Sequence, residues 1–327
     1  MTVPPVSPYR GVRVMVLGAG GFIGRWVARL LTAQGAELQL VGRDAGQVET
    51  VRRAWAVDGS VLRADLAVPA LVHDLIRTVR PAVIFNLAGY GVDPSERDPV
   101  TAERLNAELP PGLAEAMAAG GNRGWTGQQV VHAGSALEYG TASGDLAETT
   151  QGAPTTLYGR TKLEGTRRLH RAAERVGARA VTGRLFMVYG PGEHAGRLLP
   201  TLLDAARSDG PISLTAGIQR RDFTYVADAA EGLLRLGVLA SPSLEAVNVA
   251  TGRLTAVRGF VETAARTLGI APGRLGFGAV ATRVEEMQHH PINIDRLRAL
   301  TRWSPATTVE EGVAHTVAFA EASPRRF

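Results

Sequence analysis

The sequence has no cysteine and no long apolar run. Without cysteine, the 327-residue chain can form no disulfide, thiolate zinc site or cysteine nucleophile, and this composition is compatible with a cytoplasmic location. No stretch of about 18 apolar residues is free of charges and glycine, so we expect no membrane span. The segment MTVPPVSPYRG at the start lacks the apolar core of a signal peptide, so we expect a cytoplasmic protein.

Basic clusters and metal-ligand spacings are also lacking. The formal net charge is +5, but the basic residues are scattered and are not grouped with aromatic ones. The sequence therefore gives little support to nucleic-acid binding, whereas a mild positive charge suits anionic ligands such as dinucleotides and nucleotide sugars. His289 and His290 are adjacent, which is not metal-ligand spacing, so we expect no metal site.

Lysine is nearly absent. Of the 36 lysine and arginine residues, 35 are arginine and Lys162 is the single lysine. Since arginine supplies the plain positive charges elsewhere, position 162 is a candidate for chemistry that a guanidinium performs poorly. The alternative is chance retention of a surface lysine, so this position has to be judged on other evidence.

A glycine-rich segment near the N-terminus is the clearest motif. Apolar residues 12–17 predict a strand, and the amphipathic run 22–31 predicts a helix. Between and just after them, glycine recurs every third residue, at Gly18, Gly21 and Gly24. Glycine there lets the chain turn sharply, so that the N-terminus of the helix faces the phosphates of a dinucleotide. The alternative is an ordinary strand–helix turn built from small residues.

The order of predicted elements indicates the fold class. Strands alternate with helices over the first part of the chain, which predicts an α/β fold with a Rossmann-type, doubly wound parallel sheet. Beyond Phe186 the rhythm changes to a smaller C-terminal mixed α/β lobe. We assign residues 1–185 and about 213–250 to the NAD(P)-binding Rossmann domain, and 186–212 and 251–327 to a substrate-binding lobe.

Three local predictions concern helices. The run from Leu157 to Val176 predicts one long helix. Pro110 and Pro111 are expected to interrupt the helix that begins near Thr101. Thr308 and Glu311 have the spacing of a capping box for a terminal helix over 309–322.

The end of the second predicted strand bears on cofactor choice. An acidic residue at this place accepts a hydrogen bond from the ribose 2′-hydroxyl of NAD, whereas an arginine accommodates the 2′-phosphate of NADP. Gly42 and Arg43 occupy it, and Arg43 lies nineteen residues past Gly24, so the sequence favours NADP(H). Asp44 turned inward would favour NAD(H), and this alternative stays open.

Two further segments follow predicted strands. Asp65 and Leu66 follow the third strand, where the carboxylate is in range of an adenine amino group; its alternative role is a helix N-cap. Leu87, Ala88 and Gly89 follow the fourth strand, and their small size lets a cofactor lie against the strand ends.

Tyr158 and Lys162 form the candidate catalytic pair. At i and i+4 they share one helix face. A free phenol has a pKa of about 10, and we expect the Lys162 ammonium to lower the pKa of Tyr158 so that it can exchange a proton with an alcohol. Ser135, just past a strand end, is expected to hold the substrate oxygen. Its alternative is a turn serine bonded to the local backbone.

These motifs together resemble the extended short-chain dehydrogenase/reductase family, in its nucleotide-sugar epimerase/dehydratase branch. The matching segments run from the first strand towards the terminal helix: Gly18-x-x-Gly21-Phe22-Ile23-Gly24, Asp65-Leu66, Asn86-Leu87-Ala88-Gly89, Ser135–Gly140, Tyr158-Gly-Arg-Thr-Lys162, Arg184–Gly192 and Gln219–Asp228. The resemblance implies that Phe22 and Ile23 join the glycines at the cofactor. It further implies a catalytic triad of Ser135, Tyr158 and Lys162, and a homodimer formed through helices of the Rossmann domain.

The resemblance also implies roles for four more residues. Asn106 matches the family's structural active-site asparagine. Arg221 matches an arginine that meets the sugar-nucleotide diphosphate in relatives, and Arg283 is a second candidate; the alternative for both is a surface or lobe-bridging arginine. Met187 stands where the family often has a substrate-binding asparagine.

Departures from the family pattern reduce the number of reactions that the resemblance implies. Dehydratases carry Asp-Glu after the triad hydroxyl, where this chain has Ala136 and Leu137, so elimination of water is not expected. Relatives that reduce and epimerise together use a cysteine base, which is absent here.

The sequence therefore predicts an NAD(P)H-dependent oxidoreductase acting on a nucleotide-activated sugar. The leading interpretation is a 4-ketoreductase of an NDP-4-keto-6-deoxyhexose, and the alternative is a nucleotide-sugar 4-epimerase using the same residues. A reductase of a non-sugar carbonyl, such as a flavonoid or polyketide ketone, and a non-catalytic dinucleotide sensor are weaker alternatives.

Overall fold

The predicted strand–turn–helix unit opens the fold. In the computed structural model, which describes residues 7–93, 95–122, 124–242, 244–281 and 290–322, β1 (Arg13–Leu17) is buried except at its first residue. Alternate side chains of β1 enter opposite cores, with Val14 and Val16 on one face and Met15 and Leu17 on the other. A strand covered on both faces reads as a continuous apolar run, which explains the sequence signal.

Strands and helices then alternate as predicted. Their bounds are α1 (Phe22–Ala33), β2 (Glu37–Gly42), α2 (Ala45–Ala54), β3 (Ser60–Arg63), α3 (Pro69–Val79), β4 (Val83–Asn86), α4 (Pro99–Ala102), a π-helix (Glu103–Glu108), α5 (Leu109–Gly120), β5 (Val130–Ser135), α6 (Leu157–Val176) and β6 (Ala180–Leu185). The helix predicted over 157–176 is confirmed with the bounds expected.

The remaining elements are shorter. They are β7 (Met187–Tyr189), α7 (Leu198–Ala205), β8 (Ile212–Leu214), β9 (Arg220–Arg221), β10 (Phe223–Tyr225), α8 (Val226–Gly237), β11 (Leu244–Val249), β12 (Thr255–Ala256), α9 (Val257–Thr267), β13 (Leu275–Phe277), α10 (Asp295–Thr301) and α11 (Val309–Ala322). None of the helices in the described ranges is long and apolar enough to cross a membrane.

Seven parallel strands form the large sheet, in the order β11-β6-β5-β4-β1-β2-β3. Apolar side chains of α1 and α8 pack on one face, and those of α3, α5 and α6 pack on the other. The reversal of strand order beside β1 is the crevice at which doubly wound sheets bind ligands. The predicted Rossmann-type α/β fold is confirmed.

The other strands pair outside this sheet. β7 pairs with β10, β8 with β13 and β9 with β12. Within the segment of about 213–250 that the sequence assigned to the Rossmann domain, β11 joins the large sheet, but β9 and β10 belong to the small ones. The two-lobe division stays a prediction.

The predicted break at Pro110 and Pro111 is wrong. Both prolines lie in the first turn of α5, where a missing N–H is tolerated. The preceding π-helix supplies the accommodation, since the N–H of Leu109 donates to the carbonyl of Arg104, five residues back. The capping box is confirmed, because the Thr308 N–H donates to Glu311 and the Glu311 N–H donates to the Thr308 hydroxyl.

Candidate active site

The glycine turn brings β1, α1 and β4 together. Gly18 has φ +74°, and a Cβ there would lie 2.9 Å from the backbone nitrogen of Ala88. A Cβ on Gly24 would collide with the carbonyl oxygen of Gly18. Glycine is therefore required at both positions for the N-terminus of α1 to approach the end of β4 so closely.

The start of α1 has the features of an anion site. Phe22 and Ile23 are its first residues, and Gly21 is an N-cap without a side-chain hydrogen bond. The first-turn N–H groups of α1 therefore have no side-chain cap, and they lie next to the turn that approaches Leu87 and Ala88. Uncapped N–H groups at a helix N-terminus suit a pyrophosphate.

Arg43, Asp44 and Asp65, the residues expected to contact the adenosine part of the cofactor, have different environments. Arg43 is exposed at the end of β2. The carboxylate of Asp44 accepts a hydrogen bond from the N–H of Gln47 at 3.0 Å and caps α2, so it has a structural function. Asp65 accepts from the N–H of Ala67 and is not the N-cap of α3, which is Val68.

Two other residues predicted to lie near the cofactor, Leu66 and Gly89, follow the ends of β3 and β4. Leu66 is buried in the core beneath α3, and Gly89 is exposed just past β4. A Cβ on Gly89 would lie 3.4 Å from the side-chain oxygen of Asn106. The residues predicted from the fourth strand therefore adjoin the predicted active-site asparagine.

Ser135 and Tyr158 meet as the sequence predicts. Ser135 ends β5 and Tyr158 lies in the first turn of α6, which Thr156 caps. The Ser135 hydroxyl lies close enough to the Tyr158 phenol to lower its pKa. It also accepts from the N–H of Leu137 at 3.2 Å, so the turn-serine alternative describes part of its function and does not exclude the other.

The predicted lowering of the Tyr158 pKa is wrong. Burial raises the pKa of this phenol above its ordinary value, and the Glu138 carboxylate raises it further. Glu96 acts in the same direction, whereas Ser135 and Arg197 oppose the shift. Lys162 is not among the groups with the largest effects on it. The phenol is therefore protonated at neutral pH, which suits a proton donor.

Lys162 is not a surface lysine. It is 2% exposed, and burial lowers its pKa to about 8, although Glu138 acts in the opposite direction. Its Nζ lies 3.3 Å from Nε2 of His132. The alternative of a surface lysine retained by chance is therefore wrong. His132 is a neighbour of Lys162 that the sequence analysis did not predict.

Asn106 links three segments through side-chain hydrogen bonds: the π-helix, the segment after β4 and α6. It lies fully buried in the π-helix. Its Nδ2 donates to the carbonyl of Tyr90 at 2.7 Å and to the hydroxyl of Thr161 at 3.0 Å, and its Oδ1 accepts from the N–H of Tyr90 at 3.0 Å. Because Thr161 lies between Tyr158 and Lys162, Asn106 positions the part of α6 that carries both.

Glu138 and Arg184 were missed by the sequence analysis. Glu138 is fully buried, its Oε2 accepts from Nε of Arg184 at 3.0 Å, and its Oε1 accepts from the N–H of Ser135 at 2.8 Å. The signal was present, because Ser135-x-x-Glu138 is a capping-box pattern and the structure forms that box. This ion pair fixes the backbone that carries the Ser135 hydroxyl.

The predicted substrate residues fall in the small sheets. Met187 is half-buried in β7, where it pairs with Phe223, and the Nη2 of Arg197 lies 3.9 Å from its sulfur. Arg221 is buried in β9, and its guanidinium donates to the carbonyl of Arg220. Arg283 lies outside the described residues.

Glu193 is a buried acid beside this region, and its side chain is 6% exposed. Burial raises its pKa to about 7 from an ordinary value of 4.5, although Arg197 opposes the shift. Within the described ranges, its Oε2 has no hydrogen-bond partner. Ionised Glu193 is therefore a source of instability.

Replacement of Glu193 with glutamine should stabilise the protein at neutral and alkaline pH much more than at acidic pH. The folded state holds the proton more tightly than the unfolded state, so stability falls as pH rises from about 4.5 to 7 and is then constant. We expect Glu193→Gln to raise the free energy of unfolding by about 3 kcal/mol at pH 8 and by less than about 1 kcal/mol at pH 5. Denaturant unfolding at both pH values measures this, and an equal effect at both would contradict it.

Known proteins resemble this chain over nearly its whole length. A family model described as "NAD dependent epimerase/dehydratase family" matches residues 14–250. The chain is 31% identical over 323 residues to dTDP-6-deoxy-L-talose 4-dehydrogenase (NAD(P)(+)) of Kitasatospora kifunensis, covering 96% of each. It is 28% identical over 319 residues to UDP-glucose 4-epimerase of Mycolicibacterium smegmatis, covering 94% of this chain and 98% of that protein.

A solved structure agrees with these relatives. The structure of MoeE5 in complex with UDP-glucose and NAD superposes with a TM-score of 0.81 at 26% identity, covering 95% of this chain and 99% of that one. The resemblance expected from the sequence is confirmed. This protein belongs to the NAD-dependent epimerase/dehydratase family of extended short-chain dehydrogenases/reductases and is an NAD(P)-dependent enzyme.

Proposed function

We propose that this enzyme is an NADPH-dependent 4-ketoreductase of an NDP-4-keto-6-deoxyhexose. The observation that carries the proposal is the placement of the Tyr158 phenol beside the Ser135 hydroxyl, where burial and neighbouring carboxylates raise the pKa of the phenol. A 4-epimerase begins by removing a proton, whereas a ketoreductase begins with a proton donor in place. The similarity to a dTDP-sugar 4-dehydrogenase supports the same carbon, since 4-keto reduction is the reverse of 4-dehydrogenation.

Each active-site residue has a separate role in the proposed reduction. When bound, NADPH supplies the hydride. Ser135 donates a hydrogen bond to the substrate carbonyl oxygen and holds it beside the phenol. Tyr158 gives its proton to that oxygen as the carbon is reduced, so that ketone, hydride and proton combine to an alcohol. Lys162 is assigned to the cofactor ribose, and Asn106 keeps α6 in place.

The substrate diphosphate is assigned to arginines. Arg221 is the first candidate because it matches the family's diphosphate-binding arginine, and its burial in β9 gives it a fixed position. Arg283 is the second candidate. Met187 removes one hydrogen bond that relatives offer, which suits a deoxygenated sugar better than a fully hydroxylated one. A homodimer is proposed from the family resemblance.

The preference for NADPH is assigned to Arg43. It is exposed beside the predicted ribose position, while Asp44 is occupied as a helix cap. We expect Arg43→Ala to lower kcat/KM for NADPH by about 10- to 100-fold, the loss of one or two charge-assisted hydrogen bonds, and to leave kcat/KM for NADH within about 2-fold. Arg77→Ala, on the distant helix α3, is the matched control. Equal losses with both cofactors would remove Arg43 from the 2′-phosphate site.

A 4-epimerase is the second candidate, because UDP-sugar 4-epimerases are also among the relatives. Purified enzyme is mixed with NADPH and, in turn, with 4-keto nucleotide sugars, and NADPH oxidation is followed by absorbance. We expect stoichiometric oxidation with at least one dTDP- or UDP-linked 4-keto-6-deoxyhexose. Turnover of a 4-hydroxy nucleotide sugar to its C4 epimer, with cofactor retained through purification and none added, would favour the epimerase and contradict the proposal.

A further inference from the structure

Two buried side chains, His132 and Asn86, lie on the sheet side of Lys162 and have no role in the proposed reaction. His132 on β5 and Asn86 on β4 are both 0% exposed and lie opposite each other in the sheet. The Asn86 amide nitrogen is 3.0 Å from Nδ1 of His132, and Nε2 of His132 is 3.3 Å from Nζ of Lys162. Asn86, His132 and Lys162 therefore form a continuous row of side-chain contacts from the sheet to α6.

His132 is a neutral imidazole in this chain. Burial lowers its pKa well below the ordinary value, and Lys162 and His170 on α6 act in the same direction. His170 is itself held neutral by burial and by Arg184 on β6. Glu138 is the acidic group that acts on Lys162 from the segment after β5. A neutral imidazole has one N–H and one nitrogen lone pair, so it donates on one side and accepts on the other.

Asn86 decides which nitrogen of His132 carries the proton. The side-chain oxygen of Asn86 accepts from the N–H of Ala88 at 3.3 Å, which turns its NH₂ group towards Nδ1 of His132. An NH₂ group can only donate, so Nδ1 is the acceptor and the proton lies on Nε2. That N–H points at Lys162.

The contact with Lys162 then depends on the charge of the lysine. An ammonium group has three donors and no lone pair, so it cannot accept the Nε2–H of His132. A neutral amine can. A bond to the ammonium form would require the other imidazole tautomer and a reversed Asn86 amide, which would leave the N–H of Ala88 facing an NH₂ group.

We propose that His132, held in its Nε2–H form by Asn86, is a positioning residue that donates to Lys162 and stabilises its neutral amine. The consequence for turnover rests on the proposed function, in which Lys162 holds the cofactor ribose. By favouring the neutral amine, His132 limits the pH range over which Lys162 acts there as an ammonium group.

The tautomer is measured directly by ¹⁵N NMR of protein labelled at the histidine side chains. His132 is identified as the imidazole missing from the spectrum of His132→Gln or, where that variant does not fold, by its Overhauser contacts to the single lysine. We expect the shifts of a neutral ring with Nε2 protonated. A ring protonated on Nδ1, or a charged ring at pH 7, would overturn the proposal. Because no substrate is present, this outcome is independent of the proposed function.

The effect on Lys162 is measured with ¹⁵N-lysine, because the single lysine gives a single Nζ signal. Asn86→Leu frees Nδ1 to carry the proton, so Nε2 can accept from the ammonium, and we expect the pKa of Lys162 to rise by about one unit or more. Thr182→Val is the matched control, since Thr182 flanks His132 on the other neighbouring strand and bonds His170 instead. An unchanged or lowered Lys162 pKa in Asn86→Leu would overturn the proposal, as would an equal rise in the control.

Discussion

Replacing Tyr158 with phenylalanine is expected to lower kcat for ketone reduction by about 10²- to 10⁴-fold, the usual contribution of a positioned general acid. The phenol lies beside the Ser135 hydroxyl, and burial together with Glu138 and Glu96 raises its pKa, which favours the protonated form. Phenylalanine keeps the ring but removes the proton, so the dissociation constant for NADPH should stay within about 2-fold. Steady-state rates and a fluorescence titration with NADPH measure the two effects separately.

Tyr139→Phe is the matched control for this prediction. The hydroxyl of Tyr139 donates to the side-chain oxygen of Asn248 at 2.8 Å and is fully buried there. Its removal should change kcat by less than about 3-fold if the phenol of Tyr158 is the proton donor. A Tyr158→Phe enzyme that retains more than about a tenth of the kcat would show that another group supplies the proton.

Gly24→Ala is expected to weaken NADPH binding by about 10²- to 10³-fold. A Cβ on residue 24 would collide with the backbone oxygen of Gly18, and no side-chain rotation can relieve a clash between two backbone-fixed atoms. The N-terminus of α1 must then move away from the turn, and two charge-assisted hydrogen bonds from its N–H groups to the pyrophosphate are lost. Isothermal titration with NADPH measures the change, and circular dichroism checks that the variant is folded.

Gly20→Ala is the matched control within the same turn. A Cβ there would meet Cγ2 of Val48 at 3.5 Å, which is ordinary van der Waals contact. We expect its dissociation constant for NADPH to stay within about 3-fold of the parent. If a folded Gly24→Ala protein binds as tightly as Gly20→Ala does, the turn is not the pyrophosphate site.

Local patterns explain what the sequence predicted well. The spacing of Gly18, Gly21 and Gly24 is a local pattern that is visible within one short segment. Tyr158 and Lys162 were paired because helical periodicity alone puts residues four apart on one face, and the helix from Leu157 to Val176 has strong periodicity and a capping threonine. The parallel sheet followed from alternation of element types.

Features that depend on strand register could not be predicted. His132 reaches Lys162, and Asn86 reaches His132, only because β4 and β5 pair with these residues opposite each other. The sign of the Tyr158 pKa shift was predicted wrongly for a related reason, since it depends on burial and on Glu138, which lies three residues after Ser135 but folds back beneath it. The π-helix was missed because proline is usually a helix breaker, and its tolerance after a widened turn depends on the exact hydrogen-bond pattern.

The fate of deuterium from NADPH labelled at the nicotinamide C4 tests the central claim most directly. Enzyme, each stereoisomer of the labelled NADPH and the 4-keto nucleotide sugar are incubated, and the product is examined by NMR and mass spectrometry. The proposed function predicts that one stereoisomer delivers one deuterium to the former carbonyl carbon of the sugar for each NADPH oxidised, and that Tyr158→Phe suppresses the transfer. A product that carries no deuterium, formed without net oxidation of NADPH, would contradict it.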